Sequence, residues 1–306
     1  MNARMGLGLD AGGTQTRWAL ARADGSIVGS GSVAGFSALQ LKTPDGRARL
    51  TDTLAVLAAQ VAPLGRPLRI FAGITGLDTH EDALCAEIGR LFDVPAAGVT
   101  VASDIEIVCR DLFAAGEGYV VYAGTGSIAA FIDANGDFHR AGGRGVLLDD
   151  AGGGFWIARE ALRYIWRQED ERPGAWCDSP MAREIFARLG GSEWSQSRRF
   201  FYGSERGDVG KLALAVAATA DTDPAAHAIL LAAGSELARL GQVMLGRFGP
   251  RPIALAGRAA QLHPVIEQAM RAALPIETDM QLKPSESHLA AARIAARQAL
   301  QSEGSP

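Results

Sequence analysis

The chain has 306 residues, of which 48% are hydrophobic, so it can form one large or two medium domains, and we expect two. Its formal net charge is −4 and its basic residues are scattered, which argues against a nucleic-acid partner. Three widely separated cysteines form neither a disulfide framework nor a zinc pattern, so we predict a cytoplasmic protein. The chain start has no signal-like pattern and continuous apolar runs fall short of the ~20 residues that span a bilayer, which predicts no membrane segment.

The first part of the chain alternates predicted strands and helices, the pattern of a mixed sheet covered by helices. Strands are predicted over 6–10, 17–22, 27–33, 68–72 and 98–102, and helices over 47–62, 81–92 and 105–114. A second unit begins at 118 with two more strands, at 119–122 and 128–132. From 155 onward the spacing of apolar residues favours helices. These are predicted over 155–166, 180–189, 209–220, 225–248, 263–273 and 286–300, with one strand at 253–256.

A glycine turn follows the first predicted strand, in Asp10-Ala11-Gly12-Gly13-Thr14-Gln15-Thr16. Backbone N–H groups at Gly12 and Gly13 can approach a phosphate, and Thr14 and Thr16 add hydroxyl donors. Asp10 can hold the water shell of a metal ion beside the phosphates. The turn joins two strands, whereas the dinucleotide fingerprint and the P-loop both lead into a helix. Taken alone, a glycine pair is more often only a tight turn.

A second copy of this arrangement occurs at Gly124-Thr125-Gly126-Ser127, again between two predicted strands. Only the first copy carries the acid, because Tyr122 stands where Asp10 stood. Internal repetition indicates two similar units, and two facing turns can hold the polyphosphate of a nucleotide. We therefore predict that the first turn serves the metal and the transferred phosphate, and that the second binds the remaining phosphates.

These motifs resemble the sugar kinase, Hsp70 and actin superfamily, and in detail its BadF/BadG/BcrA/BcrD ATPase branch, most closely the N-acetylglucosamine kinases. The matching segments run in family order over 10–16, 102–104, 123–127, 142–145, 149–158 and 255–257. The resemblance implies an α/β fold of two ribonuclease H-like domains, the actin-like ATPase fold, with a nucleotide cleft between them. It predicts an N-terminal domain of 1–117 plus the C-terminal helix 285–306, and a helix-rich nucleotide-binding domain of 118–284.

Asp104 is the candidate catalytic base. It follows the predicted strand 98–102 and begins a predicted helix, at the edge where open α/β sheets place their sites. Aspartate is also among the best N-cap residues, worth ~1 kcal/mol, and the residues alone leave these alternatives open. The resemblance implies the catalytic role.

Asp150 is the candidate sugar-binding acid, since it matches an aspartate that binds sugar in similar kinases. There the segment reads Gly-Asp-Glu-Gly-Ser, whereas this chain has Ala151 and Gly153 at the glutamate and serine positions. Acids also suit a helix start through the helix dipole, which is the alternative reading of Asp149-Asp150. Further substrate contacts implied by the resemblance are Thr75, Gly76, Gly143 and Arg144.

Two further positions bear on ligand binding. Relatives often present an asparagine to the sugar after the third strand, whereas this chain has Gly35-Phe36-Ser37-Ala38, in which Phe36 could be core and Ser37 a donor. Ala256, Gly257 and Arg258 resemble the superfamily's adenosine motif. A strand that ends in Ala-Gly before a helix is also ordinary packing.

Together these features predict an ATP-dependent amino-sugar kinase that uses Mg²⁺ and phosphorylates the 6-hydroxyl of N-acetylglucosamine or glucosamine. Alternatives are an ATPase activator of the radical dehydratase type, which would need cysteines for an iron–sulfur cluster, or a kinase for another hexose. A sugar-sensing transcription factor would need a DNA-binding helix pair before the first strand. The resemblance further implies a homodimer with a small-molecule sugar substrate.

Overall fold

The computed structural model describes residues 4–13, 15–77 and 81–301, apart from the side chain of residue 301. The chain divides into two compact units. Unit 1 comprises Met1–Asp111 and Ser285–Pro306, and unit 2 comprises Leu112–Pro284. Each unit is built around one five-stranded sheet.

The sheet of unit 1 has the strand order β3-β2-β1-β4-β5. The first three strands are neighbouring antiparallel strands, and β4 and β5 run parallel to β1. The strands are β1 Met5–Ala11, β2 Gln15–Arg22, β3 Ile27–Ala34, β4 Arg69–Ile74 and β5 Val99–Ala102. The helices are α1 Pro44–Val61, α2 Glu81–Phe92, α3 Asp104–Leu112 and, from the end of the chain, α11 Ser287–Gln301.

Small residues let helix α11 lie directly on the sheet of unit 1. A Cβ on Gly6 would lie 2.0 Å from the backbone nitrogen of Ala296, and a Cβ on Gly8 would lie 2.1 Å from that of Ala292. Both alanines are fully buried. Glycine at these two positions of β1 therefore permits a close helix–strand contact that any side chain would prevent.

The sheet of unit 2 repeats the same plan, with the order β10-β9-β6-β7-β8. Here β6, β7 and β8 are antiparallel neighbours, and β9 and β10 run parallel to β6. The strands are β6 Tyr119–Ala123, β7 Ser127–Ile132, β8 Phe138–Gly142, β9 Ile253–Ala256 and β10 Met280–Leu282. The helices are α4 Gly154–Glu171, α5 Pro180–Leu189, α6 Trp194–Gly203, α7 Arg206–Gly210, α8 Ala213–Thr219, α9 Pro224–Phe248 and α10 Pro264–Ala273.

Helix α9 is the central helix of unit 2. Leu230, Leu237 and Met244 on its inner face are fully buried in the core of this unit. Among the described residues, α9 alone is long and apolar enough to cross a membrane by length and composition, with a mean hydropathy of 1.3. In that window 44% of the residues are buried inside the protein. This apolar segment of α9 was not predicted from the sequence, because only continuous apolar runs were considered there.

Candidate active site

Three parallel strands of unit 1 end at one edge of the sheet. Asp10 on β1 lies opposite Gly73 on β4, and Gly73 lies opposite Ala102 on β5. The polar residues at these strand ends, Asp10, Thr75 and Asp104, therefore come to the same edge. The Thr75 N–H donates to the carbonyl oxygen of Ala11 at 3.0 Å, and its hydroxyl hydrogen-bonds the Asp104 carboxylate. The structure thus brings together one predicted metal-binding acid, one predicted substrate contact and the predicted base.

Asp104 is the first residue of helix α3, and the cap of that helix is supplied by its neighbour. The Glu106 N–H donates to Ser103 Oγ at 3.3 Å, which is the N-cap arrangement. The Asp104 carboxylate accepts the adjacent Ile105 N–H on Oδ1 at 2.9 Å and also bonds its own backbone N–H. Ser103 is therefore the N-cap residue of α3, and Asp104 is not required for that role.

The environment of Asp104 changes its acidity. Burial raises the pKa of the Asp104 carboxyl above its ordinary value, and the negative charge of Asp10 adds to this. The Ile105 N–H and the Thr75 hydroxyl stabilise the charged form and lower the pKa in part. A carboxylate with a raised pKa beside a second acid is suited to accept a proton.

Asp10 is held by two donors on the same oxygen. Arg17 Nη2 and Ser287 Oγ each donate to Asp10 Oδ2 at 2.7 Å. Arg17 is the cross-strand partner of Asp10 on β2, whereas Ser287 begins α11 at the other end of the chain. Sequence reasoning missed both residues, since no local pattern connects position 287 with position 10.

The first glycine turn has an open backbone. Gly13 is exposed, and a Cβ there would meet no atom within 4 Å. The Gly12 N–H closes the turn by donating to the Gln15 carbonyl at 3.1 Å. Thr14, a predicted phosphate ligand, lies outside the described residues. Thr16 differs from the expectation, because strand alternation turns its side chain inward and buries it completely.

Other predicted substrate positions of unit 1 lie near this turn. A Cβ on Gly35 would lie 2.4 Å from the carbonyl oxygen of Gly13, so the chain after β3 runs against the turn. Phe36 is 1% exposed and belongs to the hydrophobic core, which is the role considered for it from the sequence. Ser37 and Gly76 are more accessible, and Gly76 adopts a positive φ of 72°.

The second glycine turn is fastened to the start of helix α4. The N–H groups of Gly154 and Phe155 donate to the carbonyl oxygens of Gly124 and Thr125, each at 2.9 Å. Thr125 itself is exposed. Ser127 is buried and its hydroxyl donates to the Ala151 carbonyl at 2.6 Å. A phosphate contact from Ser127 would therefore have to use its backbone.

The predicted adenosine motif adjoins this turn. Ala256 on β9 lies opposite Tyr122 on β6, so Gly257 follows at the same sheet edge as the turn. Gly257 has a φ of 99°, and a Cβ there would lie 2.2 Å from the carbonyl oxygen of Ala123. Arg258 is exposed beyond it. Gly257 is buried and packs against the predicted phosphate turn, and Arg258 is the exposed residue of this motif.

Asp150 lies beside the second turn. Its Oδ1 accepts the Gly145 N–H at 3.0 Å, and the Arg144 N–H also bonds this carboxylate. A Cβ on Gly126 would lie 2.2 Å from Asp150 Oδ2. Burial raises the pKa of Asp150, and the charge of Asp149 adds to the rise, while the two N–H groups and the charge of Arg206 lower it. In unit 2 this acid fixes the loop that carries Gly143 and the exposed Arg144.

One of the two departures from the Gly-Asp-Glu-Gly-Ser pattern, Gly153 at the serine position, has a packing reason. A Cβ on Gly153 would lie 2.6 Å from the backbone carbon of Gly126, so the start of α4 packs against the turn without room for a serine. Ala151 is 8% exposed. Gly210 at the end of α7 also lies here, since its Cβ would be 3.7 Å from Thr125 Cγ2. Sequence reasoning missed Gly210, because only the tertiary structure brings α7 to the turn.

Magnesium is the ion that the resemblance implies. Within the ranges that the structure describes, no three His, Cys, Asp or Glu side chains form a group that could hold a metal. Mg²⁺ usually keeps several waters and binds one or two carboxylates together with substrate phosphates. Both bonds described for Asp10 end on Oδ2, so Oδ1 can accept from a metal-bound water. Hard oxygen donors at Asp10 and Asp104 fit this ion.

Comparison with known proteins decides the family. The model of the BadF/BadG/BcrA/BcrD ATPase family matches residues 7–279. The chain belongs to this family. The resemblance inferred from the motifs is thereby confirmed. No curated protein sequence matches the chain.

Several solved structures share the fold of this BadF-family chain. A provisionally named N-acetylglucosamine kinase from Chromobacterium violaceum is 23% identical with a TM-score of 0.70, over 98% of this chain and 99% of that one. A second provisionally named N-acetylglucosamine kinase, from Porphyromonas gingivalis, is 16% identical with a TM-score of 0.71, over 98% and 99%. A ROK family glucokinase from Streptomyces griseus, in complex with glucose and AMPPNP, is 16% identical with a TM-score of 0.62, over 97% and 99%. These likenesses confirm the predicted α/β class and the sugar kinase and actin-like ATPase fold.

Proposed function

We propose that this chain is an ATP-dependent sugar kinase that transfers the terminal phosphoryl group of ATP to the 6-hydroxyl of N-acetylglucosamine or glucosamine. The observation that carries the proposal is the grouping of Asp10, Thr75 and Asp104 at one sheet edge of unit 1. Phosphoryl transfer needs positioning, charge neutralisation and one carboxylate near the attacking oxygen. Asp104 has the position and the raised pKa for the last of these tasks.

In the proposed reaction, Asp104 accepts the proton of the sugar hydroxyl as its oxygen attacks the terminal phosphorus atom of ATP, and the bond from that phosphorus to the β-phosphate oxygen breaks so that ADP leaves. The Thr75 hydroxyl keeps the carboxylate of Asp104 in place. Asp10 would hold bound Mg²⁺ through water, and the ion would supply neutralisation of phosphate charge. The open backbone at Gly13 would receive the transferred phosphate, since the Gly12 N–H already donates to the Gln15 carbonyl oxygen.

We assign the remaining phosphates and the adenosine to unit 2. Support comes from the exposed Thr125 in its glycine turn and from Gly257, which lies against Ala123 at the base of that turn. Gly257 permits the close contact with Ala123, and Thr125 is the exposed residue of the turn that a ligand can reach. The family membership and the likeness to a glucokinase with bound AMPPNP agree with this assignment.

The choice of an amino sugar rests on the family resemblance and on two structural neighbours named as N-acetylglucosamine kinases. Asp150 and the loop at Gly143 and Arg144 are the sugar contacts that the resemblance implies for unit 2. The homodimer and the cytoplasmic location likewise stay predictions from the resemblance and the composition.

A screen of ADP release tests the proposal. The purified protein is incubated with Mg²⁺·ATP and N-acetylglucosamine, glucosamine, glucose or no sugar, and the product is identified by mass spectrometry and NMR. We expect ADP release that depends on an amino sugar, with one phosphoryl group added at the 6-position. ADP release at equal rate without sugar would contradict the kinase proposal and favour a plain ATPase.

The variant Asp104→Asn tests the role of the base in the same assay. It keeps the size and the acceptor oxygen for the Ile105 N–H but cannot accept the proton. Because general base catalysis contributes about 10²- to 10⁴-fold, we expect kcat to fall by at least about a hundredfold while nucleotide binding stays unchanged. A kcat within threefold of wild type would refute the assignment.

A further inference from the structure

Ser287 and Arg17 form a fixed pair of donors around Asp10. Both donate to the same oxygen, Oδ2, at 2.7 Å. Ser287 is 1% exposed, so water does not compete for its hydroxyl. Hydrogen bonds to a charged group are stronger than those between neutral groups.

The position of Ser287 is set by the packing of helix α11 on β1. A Cβ on Gly8 would lie 2.3 Å from the carbonyl oxygen of His288, the residue next to Ser287. This contact leaves no freedom for the start of α11 to move toward the sheet. The C-terminal helix therefore delivers a hydroxyl to Asp10 at a defined place.

A second pair of hydrogen bonds holds the start of α11 and does not involve Asp10. Asp111 Oδ2 accepts the Ser285 hydroxyl and the Glu286 N–H, both at 2.9 Å. Two serines two positions apart thus have separate partners. Ser285 secures the helix, and Ser287 contacts the acid.

We propose that Ser287, together with Arg17, is a positioning residue for magnesium binding: both donors hold Asp10 Oδ2, and Oδ1 of the same carboxylate would accept from a water bound to the ion. This inference rests on the proposed function, since it concerns the metal of the nucleotide complex. Residues that orient a metal-binding group commonly change metal affinity or activity by about 10- to 100-fold when removed. The end of the chain thereby takes part in a site whose acid lies near its beginning.

The test measures binding of AMPPNP by calorimetry over a series of Mg²⁺ concentrations, so no turnover is needed. For Ser287→Ala we expect the Mg²⁺ concentration for half-maximal AMPPNP binding to rise about tenfold. Binding of AMPPNP without metal should stay unchanged. Ser287→Thr, which keeps the hydroxyl, should restore most of the wild-type Mg²⁺ requirement, and Arg17→Ala should raise it as Ser287→Ala does.

Ser285→Ala is the matched control, because it removes a hydroxyl from the same helix start without touching Asp10. An unchanged Mg²⁺ requirement in Ser287→Ala, or an equal rise in Ser285→Ala, would overturn the inference. Wild-type protein that fails to bind AMPPNP with Mg²⁺ would overturn this inference and the proposed function together. Wild-type protein that binds it but phosphorylates no sugar would contradict only the kinase proposal, and the Ser287 comparison would still decide the inference.

Discussion

Asp104 and Asp150 are both buried aspartates, but the groups around their carboxylates differ. Burial raises the pKa of both carboxyls. Asp150 accepts backbone N–H groups from Gly145 and Arg144 and so holds a loop in place. Asp104 accepts backbone N–H groups from the start of its own helix and the Thr75 hydroxyl, and it faces the charge of Asp10. The difference that supports Asp104 as the base is its place beside Asp10 and Thr75 at the sheet edge of unit 1.

The raised pKa of Asp104 predicts the acidic side of the pH profile. Only the ionised carboxylate can accept the proton, so activity falls as the pH drops through the pKa of this group. We expect the acidic limb of kcat/KM to lie above about 3.9, the ordinary pKa of aspartate. The measurement is kcat/KM against pH at saturating Mg²⁺·ATP, together with a stability check at each pH. A limb at or below the ordinary aspartate value would contradict the environment described for Asp104.

At the scale of elements, the glycine turns act through the segments packed against them. In unit 2 the turn after β6 is touched by the start of α4 and by the glycine that follows β9. Each approach is possible because glycine removes a Cβ at the contact. Small residues in this region thus serve close packing as well as ligand access.

Replacing Gly257 by alanine tests this packing. The new Cβ would lie 2.2 Å from the Ala123 carbonyl oxygen, at a φ of 99° that side chains rarely adopt. We expect a loss of about 1–3 kcal/mol in the free energy of unfolding from backbone strain alone, measured by urea denaturation. Gly246→Ala in α9 is the control, since a Cβ there meets nothing within 4 Å, and it should stabilise by about 0.4–1 kcal/mol. Equal stability of the two variants would refute the packing argument.

The two units have five-stranded sheets of the same topology, but they carry different functional residues. The penultimate residue of the first strand is Asp10 in unit 1 and Tyr122 in unit 2. Unit 1 carries the acids Asp10 and Asp104, and unit 2 carries the turn with Gly257 beside it. Unit 2 is also continuous in sequence, whereas unit 1 needs the last helix of the chain.

This difference predicts unequal independence of the two units. Residues 112–284 expressed alone should fold, because their core is complete, and should show a cooperative urea transition. Residues 1–111 alone should not, because α11 covers β1, β2 and β4 with buried alanines. Circular dichroism and urea unfolding of both fragments check this. Cooperative folding of 1–111 without α11 would contradict it.

Much of the fold follows from local patterns. The strand and helix alternation of the first half, the two glycine turns and the long helices are visible as apolar spacing and turn residues. Three elements were missed: β8, α6 and the short edge strand β10. The predicted helix over 209–220 is divided in the structure between α7 and α8. Short elements carry too few residues for their periodicity to stand out.

The family, the α/β class and the candidate glycines and acids could be predicted from the sequence, because these depend on residue types at short spacing. The folded structure was needed to show that the Ser127 hydroxyl bonds to Ala151 and that Ser287 holds Asp10. These outcomes depend on contacts between segments far apart in the chain, and above all on the docking of α11 against Gly6 and Gly8. No local pattern contains that information, because the partners meet only when the sheet and its covering helix have assembled.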